Sequence, residues 1–126
     1  HLDRVQIVKG WLDGDGQTHE QVYDIAVSGG RSIGGDGRCK EAVGNTVNVR
    51  KASYTNTIGT PLFLAYWKDP DFDAEQHAFY YLRVLETPTP TWVAKDIAFY
   101  GVKAPEDATL VHQERGYSSP VWYAPK

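Results

Sequence analysis

The sequence has one cysteine, no methionine and no long apolar run, and each of these shortages excludes something. Cys39 has no second cysteine with which to form an internal disulfide, so the fold cannot depend on a disulfide framework. No stretch approaches the roughly 20 apolar residues that a membrane-spanning helix needs. Because methionine is absent and the chain begins with His1, we expect a piece of a longer protein. No signal-peptide pattern is present, so the cellular compartment, including export to the periplasm, stays open.

Positive charge is also scarce. Lys and Arg number 13 against 16 Asp and Glu, and both signs are mixed along the chain, which gives a net charge of −3. Nucleic-acid-binding domains need a basic stripe that neutralises phosphates, so we expect no nucleic-acid partner. The apolar fraction of 41% and charged fraction of 23% are ordinary for a globular domain. A folded monomer of 14.1 kDa is expected to expose about 6,700 Å² of surface.

Short stretches of Val, Ile, Tyr, Phe and Trp, separated by Gly, Pro, Asp and Asn, are typical of strands and turns. The Asp-Gly pairs at 13–16 predict a β-hairpin between strands at 4–12 and 18–28. Further strands are expected at 46–54, 62–67, 78–86, 110–115 and 121–123. Residues 62–67 are apolar on both faces, which predicts a buried central strand. Together these strands predict an all-β fold in one domain over residues 1–126, an immunoglobulin-like antiparallel β-sandwich of about seven strands.

Three segments do not follow the strand pattern. Residues 29–45 contain half of the 12 glycines and almost no large apolar side chain, which predicts a long surface loop. Residues 87–91 contain two prolines, which lack backbone donors, so we expect a stiff connector outside any sheet ladder. Residues 92–101 are ambiguous, because 96–100 could form either one helical turn or an edge strand. We assign Trp67, Tyr80 and Trp122 to the core.

Two motifs resemble metal sites without completing them. His19-Glu20 begins like the zinc-protease helix, but no second histidine stands four residues after His19. The alternating acids Asp69, Asp71 and Asp73 have the spacing of a calcium loop, but its glycine and final acid are missing. A solvated turn is the favoured interpretation, and an irregular calcium site is left open. We therefore expect no cofactor and no metal in this chain.

Possible nucleophiles are equally sparse. Ser118 and Ser119 lack the G-x-S-x-G turn that exposes a catalytic serine. Cys39 lies between Arg38 and Lys40, two cations that favour a thiolate, although an incidental exposed thiol in a glycine-rich loop is the simpler interpretation. An enzyme that uses Cys39 is accordingly the weakest of three functional hypotheses.

Several segments go beyond generic β patterning, namely 5–11, 54–59, 69–73 with 78–90, and 113–123. They resemble the C-terminal region of a large bacterial family of unknown function related to PHP-type metal-dependent phosphoesterases. The resemblance covers nearly the whole chain, with departures at Thr91 and 93–95. It implies an upstream domain whose His and Asp residues bind divalent metals and carry hydrolysis, followed by a β-rich tail. This chain resembles the tail.

The first hypothesis is therefore a non-catalytic accessory module that packs against the catalytic domain of the same polypeptide. The residues expected at that contact are polar or aromatic side chains in or beside turns: Tyr54, Thr55, Asn56, Thr57, Arg83, Glu86 and Trp92. Arg83 is the most informative, because a cation in an apolar strand must reach solvent or a carboxylate such as Glu86.

The alternative is a stand-alone module that binds carbohydrate or a cell-surface polymer. Aromatic residues make up 13% of the chain, and aromatic platforms on β-sandwiches can stack on sugar rings. Trp92, beside the proline-rich connector, is the residue expected to form such a platform.

Overall fold

The computed structural model describes the whole chain from His1 to Lys126, and the predicted hairpin is its starting element. Its strands pair antiparallel from Arg4 opposite Val27 to Leu12 opposite Thr18, and Gly16 adopts a φ of +77° in the connecting turn, so this prediction is confirmed. The elements follow in the order β1 (Leu2–Leu12), β2 (Thr18–Val27), a 3-10 turn (Val49–Lys51), β3 (Ala78–Glu86), β4 (Thr89–Pro90), α1 (Trp92–Tyr100), β5 (Val111–His112), β6 (Arg115–Tyr117) and β7 (Val121–Tyr123).

The main sheet is built around β1. Strand β2 pairs with one edge of β1 and β3 pairs with the other, so β1 is the central strand. The far edge of β3 is shared by β6 and β7, each of which pairs with a different three-residue stretch of it. The predicted strand at 78–86 is thus confirmed, as is the one at 121–123.

The chain is mainly antiparallel β, as predicted, but its sheets do not close over one another. Five strands form one sheet, while β4 and β5 form a separate two-stranded sheet. The predicted strand at 110–115 is divided, since β5 belongs to the small sheet and β6 to the large one. The number of long strands is lower than a sandwich needs, because two of the predicted strands do not form.

The predicted strand at 46–54 is wrong. A single bridge joins Asn48 to Ser53, and Val49–Lys51 form a 3-10 turn between them. The side-chain oxygen of Asn48 accepts a hydrogen bond from the Lys51 amide at 3.1 Å, and this local capping bond competes with extended pairing.

The predicted buried strand at 62–67 is also wrong, although its backbone is free of turns and helices. We call residues 62–66 the arm. Leu62, Leu64 and Tyr66 of the arm are 75%, 97% and 92% exposed. The backbone amides of the arm donate no hydrogen bond within the chain. The apolar side chains of the arm are typical of a buried strand. No strand of this chain pairs with the arm, so these side chains stay exposed.

The proline-rich connector takes part in pairing, contrary to expectation. Thr89 and Pro90 form β4 opposite β5, a ladder short enough that the missing proline donor does not break it. Of the two alternatives for the residues after the connector, the structure shows the helical one: they form α1, and no edge strand. Thr91 caps the helix by accepting a hydrogen bond from the Ala94 amide at 3.3 Å, and Gly101 ends it with a φ of +66°.

The core is small and partly polar. Only 13 of the 126 residues are buried, and Asp3, Gln6, Lys9 and Asp24 are among them. Trp122, which we assigned to the core, is 73% exposed, because β7 pairs at the outer edge of β3. The one α-helix has nine residues, and no helix has the length and hydropathy of a membrane span.

Candidate functional site

One face of the main sheet carries a polar depression of about 230 Å³ near the amino-terminal half of β1. Gln6 on β1 lies opposite Asp24 on β2 and Arg83 on β3, so the three side chains project on the same face. We call this concavity the arginine depression. Its lining residues are Asp3, Arg4, Gln6, Arg38, Arg83, Leu85, Gln113 and Arg115.

Asp24 does not line the arginine depression but bonds two residues that do, Arg4 and Gln6, and its carboxylate is buried. Gln6 Nε2 donates to Asp24 Oδ1 at 2.6 Å, and the Cys39 amide donates to Oδ2 at 2.7 Å. Arg4 Nη1 donates to the same oxygen at 3.1 Å. Asp24 therefore fastens the glycine-rich loop to the sheet. It also places Cys39, 6% exposed, in the interior, which corrects the expectation of an exposed thiol.

Asp3 is the second buried acid of this face. Arg31 Nη2 donates to Asp3 Oδ1 at 2.6 Å, and Gln113 Nε2 donates to Oδ2 at 2.9 Å. Arg4 Nε lies 3.3 Å from the same carboxylate. Asp3 and Asp24 together thus balance the charges of Arg4 and Arg31.

None of the three further arginines in the depression has a carboxylate to itself. Arg83 Nε donates to the neutral Gln6 Oε1 at 2.7 Å, and its other two nitrogens make no hydrogen bond to protein. Of the expected alternatives for Arg83, solvent or a carboxylate such as Glu86, the pair with Glu86 is not formed. Arg38 reaches Asp24 only at 3.5 Å, and the exposed Arg115 has no side-chain partner. The depression therefore carries unneutralised positive charge.

The predicted loop residues gather around His1 instead. The backbone nitrogen of His1 lies 3.3 Å from Asn56 Oδ1, and the hydroxyls of Thr55 and Thr57 lie 3.0 Å apart. Glu86 is opposite Leu2 in the β1–β3 register, so it reaches the same end of the sheet. Tyr54, 45% exposed, precedes this group along the loop.

Trp92 stands apart from both groups. It begins α1, is 75% exposed, and has Lys95 Nζ 4.4 Å from its ring centroid. The structure therefore distributes the seven predicted residues over three places: the loop beside His1 with Glu86, the arginine depression, and the start of α1.

The opposite face of the sheet contains a second polar group, which we call the lysine cluster. Lys9 is buried, and its Nζ lies 2.6 Å from Asp69 Oδ2 and donates to the Asp71 carbonyl at 2.7 Å. Tyr80 OH donates to Asp69 at 2.7 Å, and Tyr23 OH donates to Asp71 at 2.9 Å. Each carboxylate of this pair is thus turned toward a protein donor.

The lysine cluster shifts the titration of its members. Burial raises the pKa of Asp69, but the hydrogen bonds from Lys9 and Tyr80 outweigh burial and hold it below 3.8. Burial, followed by the hydrogen bond to a carboxylate, raises the pKa of both Tyr23 and Tyr80. Both phenols consequently stay protonated as donors over the whole physiological range.

The alternating acids are thus used as turn residues. Asp69 Oδ1 accepts from the Asp71 amide and Asp73 Oδ1 accepts from the Glu75 amide, each at 2.9 Å. No group of three or more His, Cys, Asp or Glu side chains is arranged to hold a metal ion. His19 bonds Asp13 at 2.6 Å and stacks on Trp11 in the hairpin.

A family model described as a protein of unknown function, DUF3604, matches residues 1–125. The chain belongs to this family. No curated protein and no solved structure matches it. The resemblance to a family of unknown function is confirmed at that level. The match spans the arginine depression, the lysine cluster and the arm, so all three are parts of the DUF3604 region.

Sequence reasoning on this DUF3604 chain found Arg83 and missed its neighbours. Arg38 and Arg115 are far from it in sequence, and no local spacing links them. One signal was present: Asp3, Gln6 and Lys9, together with Arg4, interrupt the apolar residues of the strand at 4–12 and the residues just before it. Buried polar side chains require partners, so these three positions indicated polar groups on both faces of the sheet.

Proposed function

We propose that this chain is a non-catalytic accessory module of a PHP-type, metal-dependent phosphoesterase-like hydrolase. The catalytic domain, with its divalent metals, is expected upstream in the same polypeptide. The proposal is carried by one observation: the arm is apolar, extended and without a partner in its own chain. Exposed apolar surface of this kind is stabilised when a neighbouring domain covers it.

The arm has the features of a strand that pairs outside its own chain. Its exposed side chains, Leu62, Leu64 and Tyr66, occur at every second position, which is the period of a strand. Its free backbone donors can complete a ladder with the edge of another sheet. A strand from the catalytic domain beside the arm would also supply the second layer of the β-sandwich that the sequence pattern favours.

The total surface supports the same conclusion. The chain exposes 8599 Å², whereas a self-contained monomer of its mass exposes about 6,700 Å². The excess of roughly 1,900 Å² exceeds the roughly 800 Å² that one partner buries in a standard interface. Apolar side chains of α1, including Trp92 and Phe99 at 75% and 82% exposure, add to the surface that a neighbouring domain could cover.

Hydrogen exchange tests this docking directly. In the full-length protein that contains the upstream domain, the amides of residues 62–66 are expected to exchange about 100-fold more slowly than in the 126-residue chain. Leu64→Asp is expected to abolish that protection, because a carboxylate cannot be buried against an apolar partner. Val102→Asp, at another exposed apolar position, is the matched control and should leave protection unchanged. Equal exchange rates in the two proteins would contradict the proposal.

Carbohydrate binding is the second candidate, favoured by an aromatic groove on the sheet. The rings of Phe79 and Tyr81 are within 7° of parallel, and Tyr117 and Trp122 flank them. The groove has a volume of about 390 Å³ and is lined almost wholly by apolar surface. Parallel half-exposed rings are the arrangement on which sugar rings stack.

If this second candidate is correct, calorimetric titration of common polysaccharides against the chain will detect saturable binding. Trp122→Ala is then expected to weaken that binding about tenfold, because an exposed aromatic anchor is lost. Tyr100→Ala removes a similarly exposed aromatic side chain of α1, outside the groove, and serves as the control. Absence of saturable binding to every polysaccharide would remove this candidate.

A further inference from the structure

The arginine depression holds Arg83 in a defined orientation. Gln6 connects the buried Asp24 to Arg83: its Nε2 donates to the carboxylate, and its Oε1 accepts from Arg83 Nε. This chain of bonds fixes the amide of Gln6, so its oxygen is always presented to Arg83. The guanidinium is held by its Nε alone, and its two terminal nitrogens keep their donors for another acceptor.

The charges around the depression do not balance. Arg4 and Arg31 are paired with the buried acids Asp3 and Asp24. Arg38 shares Asp24 with Arg4 at 3.5 Å, Arg83 and Arg115 have no acid, and no further acid lines the depression. Five arginines thus face two acids. Three guanidinium groups around one concavity repel each other, and an anion between them would relieve that repulsion.

We propose that the arginine depression binds a phosphate group, held by Arg38, Arg83 and Arg115. The planar guanidinium fork bonds two phosphate oxygens at once, which suits arginine to this ligand. Leu85 is the one apolar residue in the lining, so the depression offers little contact for an organic tail. The phosphate can be free or the terminal group of a monoester. This site does not depend on the docking of the arm to an upstream domain.

Titration of the 126-residue chain with inorganic phosphate tests the site. A parallel titration uses glycerol phosphate, and sodium chloride at the same ionic strength provides the reference for screening. We expect saturable binding by calorimetry and a rise in thermal stability that chloride does not produce. Saturation by both ligands would identify a terminal phosphate group as sufficient, whereas saturation by inorganic phosphate alone would identify free phosphate as the ligand.

Two variants assign the binding to the arginines. Arg115→Gln and Arg83→Gln are each expected to weaken phosphate binding about tenfold, the effect of one lost charged hydrogen bond. Arg50→Gln is the matched control, because Arg50 is exposed on the 3-10 turn outside the depression. It should bind phosphate within about twofold of the unchanged chain.

The two arginine variants differ in what else they disturb. Arg83→Gln also loses a bond to Gln6, so circular dichroism must show that it folds. Arg115 makes no side-chain bond within the chain. If Arg83→Gln does not fold, the phosphate affinity of Arg115→Gln alone tests whether the arginines bind phosphate. Phosphate effects no larger than those of chloride would overturn the proposal. So would unchanged phosphate affinity in Arg115→Gln.

Discussion

Replacing Lys9 by Met is expected to lower the free energy of unfolding by about 3 to 5 kcal/mol. Lys9 and Asp69 are 4% and 7% exposed, so the variant leaves a buried carboxylate without its cation. The Asp71 carbonyl loses its donor in the same change. Methionine occupies a similar volume, so the decrease in the free energy of unfolding is due to the lost charge and not to a cavity. Denaturant titration followed by tryptophan fluorescence measures it.

The control for Lys9→Met is Lys68→Met, at an exposed lysine one residue before Asp69 that makes no ion pair. It should change the free energy of unfolding by less than about 0.5 kcal/mol. The double variant Lys9→Met with Asp69→Asn should recover part of the loss, because the unpaired charge is removed. If the double variant is as unstable as the sum of its single changes, the ion pair is not the cause.

The effect of Lys9→Met should also depend on pH in a defined direction. The pKa of Asp69 is held below 3.8 in the folded chain, so its stabilisation is present above the unfolded value. That stabilisation is lost as pH falls through the folded pKa. The difference between the variant and the unchanged chain should therefore be constant near neutrality and shrink in acid.

Replacing Gly59 by Ala is expected to cost about 3 kcal/mol, the second large effect. Gly59 has a φ of +76°, and a Cβ there would lie 2.5 Å from Thr87 Cγ2 and 2.8 Å from the Leu2 carbonyl oxygen. The second atom belongs to the backbone of β1 and cannot rotate away. The variant should therefore separate the loop at 54–60 from the sheet.

Gly101→Ala distinguishes strain from crowding. Gly101 has a similar φ of +66° with nothing within 4 Å of the added Cβ, so its variant should cost only about 1 kcal/mol. Thermal melts of the two variants give the comparison. Equal losses at the two glycines would show that the backbone angle, and not the contact with β1, sets the cost.

The parts of the fold that were predicted correctly are governed by local sequence. The Asp-Gly turn specifies the β1–β2 hairpin, and alternation specifies β3, because both signals are contained within a few residues. The arm shows the limit: its pattern predicts a strand, but burial depends on a neighbour that this chain does not supply. In residues 46–54 the side chain of Asn48 overrode a similar alternation.

The candidate site was predictable only in part for the same reason. Arg83 drew notice because a cation stands within an apolar strand. Arg38 comes from the glycine-rich loop and Arg115 from β6. The pairings of β2 with β1, β1 with β3 and β3 with β6 bring these distant segments together. The net charge of the chain did not indicate the site, because acidic residues elsewhere outnumber the local excess of arginine.

The central position of β1 sets the order in which the protein can fold on the ribosome. One edge of β1 is satisfied early, because the hairpin with β2 forms within microseconds of its synthesis. Its other edge pairs with β3, which ends at Glu86. At roughly 5 to 20 residues per second, the 59 residues after the end of β2 at Val27, up to the end of β3 at Glu86, take about 3 to 12 s to emerge. During that interval the second edge of β1 is unpaired in the nascent chain. The rate of translation therefore sets how long this strand edge is exposed.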